Sequence, residues 1–257
     1  MRVTLTILYR DEDCVLIDKP AGMLLHRSKI AQDQVFVLQT LRNQIGQRVF
    51  PAHRLDRATS GVLAFGLNAK AAQRLAEQFA ARQTEKRYLA VARGWVETDG
   101  LIDHPVADQD ASATKQPAKT RFHCLSQIEL PHAVDRYPTS RYSLVCIEPL
   151  TGRRQQIRKH FKHISHHLIG DTTHGNGRHN RFFRTHFGIH RLLLMAWRLR
   201  FRHPRRNDLI EVTAPFDADW QQVLRLFGVS DQELKACESR MEREPSKTGA
   251  ALSLLAQ

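Results

Sequence analysis

Apolar and polar positions fall in short runs along this chain, some with a period of two and some with a period near 3.6, and no internal repeat links them. Residues 5–10 and 14–19 read as two short strands separated by the turn-like Asp11-Glu12-Asp13. Lys19-Pro20-Ala21-Gly22 then interrupts the pattern with proline and glycine. A helix is expected over about residues 35–45. A second opens after Asn68, a good N-cap, and puts Ala72, Leu75, Ala76 and Phe79 on one face. Residues 87–92 read as a strand containing Tyr88. Between Gly100 and Lys119 the apolar pattern thins, which predicts a surface loop. Strands are predicted near 120–128 and 141–147, followed by a helix near 154–164 that turns Ile157, Phe161 and Ile164 inward. Further strands are predicted near 192–201 and 209–213. Asp217 then caps a helix with Trp220, Val223, Leu224 and Phe227 on one stripe.

Nothing in the first 228 residues marks a linker, so one domain of the α/β (α+β) class is expected over residues 1–230. Its 42% hydrophobic content is enough to build a core. Beyond about residue 230 the chain turns polar and has no aromatic residue, so 231–257 is expected to be a flexible tail.

Charge narrows the class of partner. Lys plus Arg number 39 against 26 Asp plus Glu, a formal charge of +13, which favours nucleic acid through phosphate neutralisation and counterion release. No segment approaches the roughly twenty apolar residues that span a bilayer, and the acidic Asp11-Glu12-Asp13 comes too early for a secretory signal. Cys14, Cys124, Cys146 and Cys237 are scattered without a Cys-x-x-Cys pair, which suggests reduced thiols, no structural zinc and a cytoplasmic setting. The stretch from Arg153 to Arg206 is rich in histidine (His160, His163, His166, His167, His174, His179, His186, His190). Its loose spacing and crowding by arginine argue against a metal and for a wet RNA-binding surface. There Arg178, Arg181 and Arg184 are candidates to grip a phosphate backbone, and Phe182 and Phe183 either stack on bases or anchor the excursion.

The most informative string is His53-Arg54-Leu55-Asp56-Arg57-Ala58-Thr59-Ser60-Gly61. It sets one carboxylate between two guanidinium groups, and nearby cations favour the charged form of a carboxylate. If the segment is extended, Arg54 and Asp56 share one face while Leu55 turns to the other, towards a core. The residues alone leave two readings open, a reactive carboxylate in a basic groove or an exposed ion-paired loop.

The full string resembles the catalytic motif of the RNA pseudouridine synthases, and three further segments resemble that family in the same order. They are Lys19-Pro20-Ala21-Gly22, then Glu85 to Gly94 around Tyr88, then Thr151-Gly152-Arg153-Arg154-Gln155-Gln156-Ile157-Arg158, continuing to Ile169-Gly170-Asp171. The resemblance implies the family's catalytic fold, a mixed and largely antiparallel central sheet flanked by helices and loops. It leaves no room before Lys19 for the small ribosomal-protein-like module that many relatives carry. It implies Asp56 as the essential catalytic residue, Arg158 as its charge partner and Tyr88 as the residue stacked on uracil. It implies Arg54 as the side chain that fills the space of the extruded base, with Arg57, Lys19, Arg153, Arg154, Arg178 and Arg181 as further RNA contacts. No cofactor and no metal is implied, because the isomerisation is redox-neutral.

Residues 136–142 and 186–192 resemble most the short members that modify uridine 65 in the acceptor-proximal stem of tRNA. A tRNA substrate is therefore expected; no membrane is expected from the hydropathy, no obligate protein partner is evident, and a monomer is the default expectation. The alternatives are a 23S ribosomal RNA synthase of the same family and a non-catalytic RNA-binding or folding protein. Three positions depart from the family's usual residues: Gln155 replaces histidine, His167 proline and Met195 histidine.

Overall fold

In a computed structural model, residues 3–26, 35–107 and 114–242 are described. In chain order the elements are β1 (Thr6–Arg10), β2 (Cys14–Lys19), α1 (Val37–Ile45), β3 (Phe50–Pro51), β4 (Ser60–Gly66), α2 (Ala69–Ala80) and β5 (Glu85–Arg93). There follow β6 (Asp99–Asp103), β7 (Val106–Ala107), β8 (Lys115–Gln116), β9 (Lys119–Leu130) and β10 (Ser140–Pro149). The chain continues through α3 (Gln156–His163), α4 (Gly177–Phe187), β11 (Leu194–Arg202), β12 (Leu209–Thr213), α5 (Ala218–Phe227) and α6 (Asp231–Glu242). They fall into two compact units, Met1–Tyr88 with Met195–Pro215, and Leu89–Leu194 with Phe216–Gln257.

In the first unit β1, β2, β4 and β11 lie side by side, with β3 on β4 and β12 on β11. β1 with β2 and β2 with β4 run antiparallel, whereas β4 and β11 are parallel, placing Met195 opposite Ser60 and Ala196 opposite Gly61. Every residue of β4 is buried. Such continuous apolar runs belong to strands covered on both faces, and here the alternating signal of a half-exposed strand is absent. Gly61 sits at φ +107, and a Cβ there would lie 2.1 Å from the Ala196 carbonyl oxygen, so only glycine permits this approach. The core of this unit gathers Val15, Ile17, Leu41, Leu55, Leu63 and Phe65.

In the second unit β5, β10, β9 and β6 are neighbours in that order. β9 and β10 form a long antiparallel hairpin with a bulge between Leu144 and Val145. The mixed, largely antiparallel sheet that was expected is present. The stretch 100–119 differs from the loop expectation: β6 pairs with β9, and β7 with β8, while 108–113 lie outside the described residues. Their exposed outer faces dilute the apolar pattern without removing the strands.

Caps explain the helix boundaries that the sequence made visible. The Asn68 side chain accepts from Ala71 N at 2.8 Å and Asp217 from Trp220 N at 3.0 Å. α5 buries Trp220, Val223, Leu224 and Phe227 as its stripe predicts. The stretch expected as a flexible tail opens with α6. Ser230 and Glu233 exchange backbone and side-chain bonds in a capping box, and Leu234 and Cys237, one turn apart, are buried. Residues 243–257 lie outside the described residues. Among the described residues no helix is long and apolar enough to cross a membrane.

Candidate active site

Between β3 and β4 the chain carries Asp56 on a tight turn closed by Thr59 N donating to Asp56 O at 3.1 Å. The alternation expected of an extended segment is present. Leu55 is buried in the core, Arg54 and Arg57 are exposed, and Asp56 is half-buried between them. His53 packs differently from its charged neighbours. It stacks on Phe79 at 4.1 Å and accepts from Ala64 N, and burial, with a smaller push from the charge of Lys86, lowers its pKa to about 3. It is a neutral structural imidazole.

Lys19 departs from the expectation of an RNA contact. Its side chain is fully buried, and its ammonium donates to the carbonyl oxygens of Pro20 at 2.9 Å, Arg57 at 3.0 Å and Thr59 at 2.8 Å. A phosphate cannot reach it. A buried ammonium is tolerable only when polar groups replace its water, and these carbonyls do so while lacing the Lys19-Pro20-Ala21-Gly22 turn to the Asp56 turn. Arg57 adds to the same lacing, since Gly22 N donates to Arg57 O and Arg57 Nε to Gly22 O at 3.0 Å.

Tyr88 is half-buried against the core of the same unit. Burial first, and then the negative charge of Asp56, push its phenol pKa upward, so the hydroxyl stays protonated at neutral pH.

Arg158 lies on α3 and is buried, with its Nε and Nη2 both 2.7 Å from the carboxylate oxygens of Asp171. This fork-to-fork geometry is the strongest form of an arginine–carboxylate bond. Asp171 also accepts from Thr173 N at 2.9 Å and His174 N at 2.8 Å. Burial raises its pKa, but the Arg158 and backbone hydrogen bonds and the Arg158 charge outweigh that and hold it below the usual carboxylate range. Gly170 permits the chain to enter here, at φ +79 with a would-be Cβ 1.8 Å from the Arg191 carbonyl oxygen. Neighbouring Gln156 is buried and satisfied four ways, by Thr151 Oγ1, Arg153 N, the Lys119 carbonyl and Thr120 Oγ1. α3 begins two residues later than the periodicity predicts because Gln155 takes the left-handed conformation, φ 55 and ψ 25. Two of the three departures noted above meet on one residue. Gln155 Oε1 accepts from His174 Nε2 at 2.9 Å, and His167 Nδ1 donates to the His174 carbonyl at 2.8 Å. Met195 is buried in β11.

The remaining expected RNA contacts divide by exposure. Arg153, Arg154, Arg178, Arg181 and Arg184 are all exposed, with Arg178 paired to Asp135. Phe182 and Phe183 are buried with Tyr142, so they anchor α4 rather than stack on bases. His179 is equally buried, between Arg93 Nε at 3.1 Å and the Tyr142 hydroxyl at 2.9 Å. His160 is bound by Thr120 Oγ1 and the His104 carbonyl. Burial lowers both histidines to about 4, so they are neutral core residues. The triad of Asp11, Cys14 and His203 has ligand atoms close together, but Asp11 is engaged with the Tyr9 hydroxyl, the Cys14 amide and His203 Nε2 in a hydrogen-bonded cap.

Gln156 and Asp171 both lie within the third matching segment, but nothing in the residues alone assigns either of them a role.

Comparison with known proteins places these features in context. Residues 13–163 match the family model described as RNA pseudouridylate synthase. The chain is 45% identical over 243 residues to the tRNA pseudouridine synthase C of Vibrio parahaemolyticus, covering 91% of this chain and 99% of that one. It is 47% identical over 234 residues to the protein of the same description from Salmonella typhi, covering 87% of this chain and 90% of that one. Human RNA Pseudouridylate Synthase Domain Containing 1 superposes with a TM-score of 0.67 at 25% identity, covering 88% of this chain and 96% of that one. Human RNA Pseudouridylate Synthase Domain Containing 4 shares the fold with a TM-score of 0.68 at 19% identity, over 88% and 94% of the two chains.

Proposed function

The chain belongs to the RNA pseudouridylate synthase family, and from that premise we propose that it isomerises a uridine of tRNA, uridine 65 in the acceptor-proximal stem, to pseudouridine. The single observation that carries the substrate class is identity of 45% along nearly the whole length of a relative described as a tRNA pseudouridine synthase. The working form is a cytoplasmic monomer that needs no protein partner.

The reaction breaks the bond from uracil N1 to C1′, turns the base, and joins C5 to C1′; the hydrogen on C5 is lost and N1 gains one. No electron is added or removed. Asp56 is the reacting group, as nucleophile or as the base that deprotonates the sugar. Its half-buried position on a turn stiffened by Lys19 supports that role, because the carboxylate is reachable while the backbone beneath it is fixed. Arg158 serves as its charge partner, and the Asp171 fork that holds one edge of the guanidinium supports such a fixed orientation. Tyr88 offers a ring to the uracil and a hydroxyl for the later proton transfer from C5. The target nucleotide must leave its stack at a cost of a few kcal/mol. Exposed Arg54, whose planar cation stacks on bases and reaches phosphates, fills the vacated place. Arg153, Arg154 and Arg181 add phosphate contacts.

The test is pseudouridine formation in a purified tRNA pool, mapped by nucleotide. Modification at uridine 65 is the expected result. An unmodified tRNA pool alongside modified ribosomal RNA would overturn the substrate assignment, and modification of neither would favour a non-catalytic RNA-binding role.

A further inference from the structure

Gln155 stands out among residues near the candidate site. It is one of four non-glycine residues at positive φ among the described residues, and the only one of them at a helix N-cap, just ahead of α3. Left-handed backbone is strained for a residue with a side chain, and such strain persists where the surroundings over-determine it. A helix start usually recovers the cost through a side-chain cap, but Gln155 makes no capping hydrogen bond. Its side chain instead reaches nineteen positions along the chain to accept from His174 Nε2 at 2.9 Å.

His174 sits within a short, fully specified loop. Its amide donates to Asp171 Oδ1 at 2.8 Å, alongside the Thr173 amide at 2.9 Å. Its carbonyl accepts from His167 Nδ1 at 2.8 Å. Asn180 closes the other side, accepting from Gly170 N at 2.7 Å and donating to the Asp171 carbonyl at 2.8 Å. A Cβ on Gly175 would come within 2.1 Å of the Asp171 carbonyl oxygen, so the loop is pressed onto Asp171. Asp171 in turn grips Arg158 by two bonds of 2.7 Å. Arg158 lies three positions after Gln155, on α3, whose N-cap is Gln155, so Gln155 is tied to the helix that carries Arg158 through its backbone and to the Asp171 loop through its side chain on His174.

We propose that Gln155 is a positioning residue for the isomerisation, holding the His174 loop so that Asp171 fixes the plane of the Arg158 guanidinium. The inference rests on the proposed role of Arg158. The strain at Gln155 is retained because glycine, which would relax the backbone, has no side chain to bond His174. The stored strain and the long-range bond therefore have one explanation.

The decisive variant is Gln155→Gly, which relieves the backbone and removes the carbonyl together. Its melting temperature is expected to equal or exceed that of the parent, while kcat for tRNA falls about tenfold and KM changes less than twofold. The amides of Thr173 and His174 exchange with deuterium faster. Gln155→Glu, which keeps an acceptor oxygen, restores kcat to within about threefold, and Gln155→Gly combined with His174→Ala is no slower than either change alone. Unchanged kcat in Gln155→Gly, or a loss of kcat only in proportion to a loss of stability, would overturn the proposal. If the parent protein leaves tRNA unmodified, the functional reading fails by itself. The exchange arm then decides the link: unchanged protection at Thr173 and His174 refutes it without any activity measurement.

Discussion

The Asp56 turn and the Arg158 segment are stiffened in opposite ways. Around Asp56 the described bonds run through backbone carbonyls, with Lys19 donating to three of them and Gly22 and Arg57 exchanging two more. Around Arg158 they run through side chains: the Asp171 fork, the four bonds of Gln156 and the link from Gln155 to His174. The role proposed for Asp56 calls for a fixed base but a reachable tip, and backbone lacing leaves the residue half-buried. The role proposed for Arg158 calls for a fixed plane, and the buried Asp171 carboxylate supplies it at the cost of two desolvated charges. Rigidity is common to both regions, but the part that is immobilised differs.

That contrast is open to direct attack. The largest effect is expected from Asp171→Ala, which strands a buried guanidinium and lowers stability by about 3–5 kcal/mol in a urea titration. Lys19→Met comes next. It keeps the apolar stem but leaves three carbonyls without their ammonium, for a loss of about 3 kcal/mol and a matching fall in activity. Equal, negligible losses in both variants would erase the distinction between the two regions.

A change of pH separates them further. His53, His160 and His179 are held near 3, 4 and 4 in the folded chain, against about 6.5 when unfolded. Between pH 6.5 and 4 the unfolded state therefore binds more protons. The stability these neutral imidazoles contribute is present above 6.5 and is lost as pH falls through 4 for His160 and His179 and towards 3 for His53. His53→Phe, on the Asp56 side, should remove part of that slope, as followed by denaturant midpoints across pH. The smallest effect on the fold belongs to the exposed arginines. Arg154→Ala or Arg181→Ala should shift stability by less than about 0.5 kcal/mol while lowering the salt slope of tRNA binding by about 0.7–0.9.

These differences also explain what could be read from the chain in advance. The α2 and α5 helices were legible because Asn68 and Asp217 cap them locally and their apolar stripes are contiguous. β4 was not, since Ser60-Gly61-Val62-Leu63-Ala64-Phe65-Gly66 has no alternation and begins in what reads as a turn. α4 was hidden because arginines and histidines dominate it, and only contact with Tyr142 shows Phe182 and Phe183 to be an anchor. α6 carries just two buried apolar side chains, too few to stand out in a polar stretch. At the site, the alternation of Arg54, Leu55 and Asp56 is a local property and was visible. The burial of Lys19 depends on carbonyls up to forty positions away, and the Arg158 fork on a residue thirteen positions away. Such pairings exist only once the chain has folded.

The central claim is that Asp56 performs the chemistry. The most direct test uses tRNA carrying tritium at uridine C5, whose release reports the C5–C1′ exchange, in a single turnover with the parent protein and with Asp56→Asn. The account predicts release by the parent and a rate roughly a thousandfold lower or less for Asp56→Asn, with tRNA affinity largely preserved. Release by Asp56→Asn at the parent's rate would contradict it.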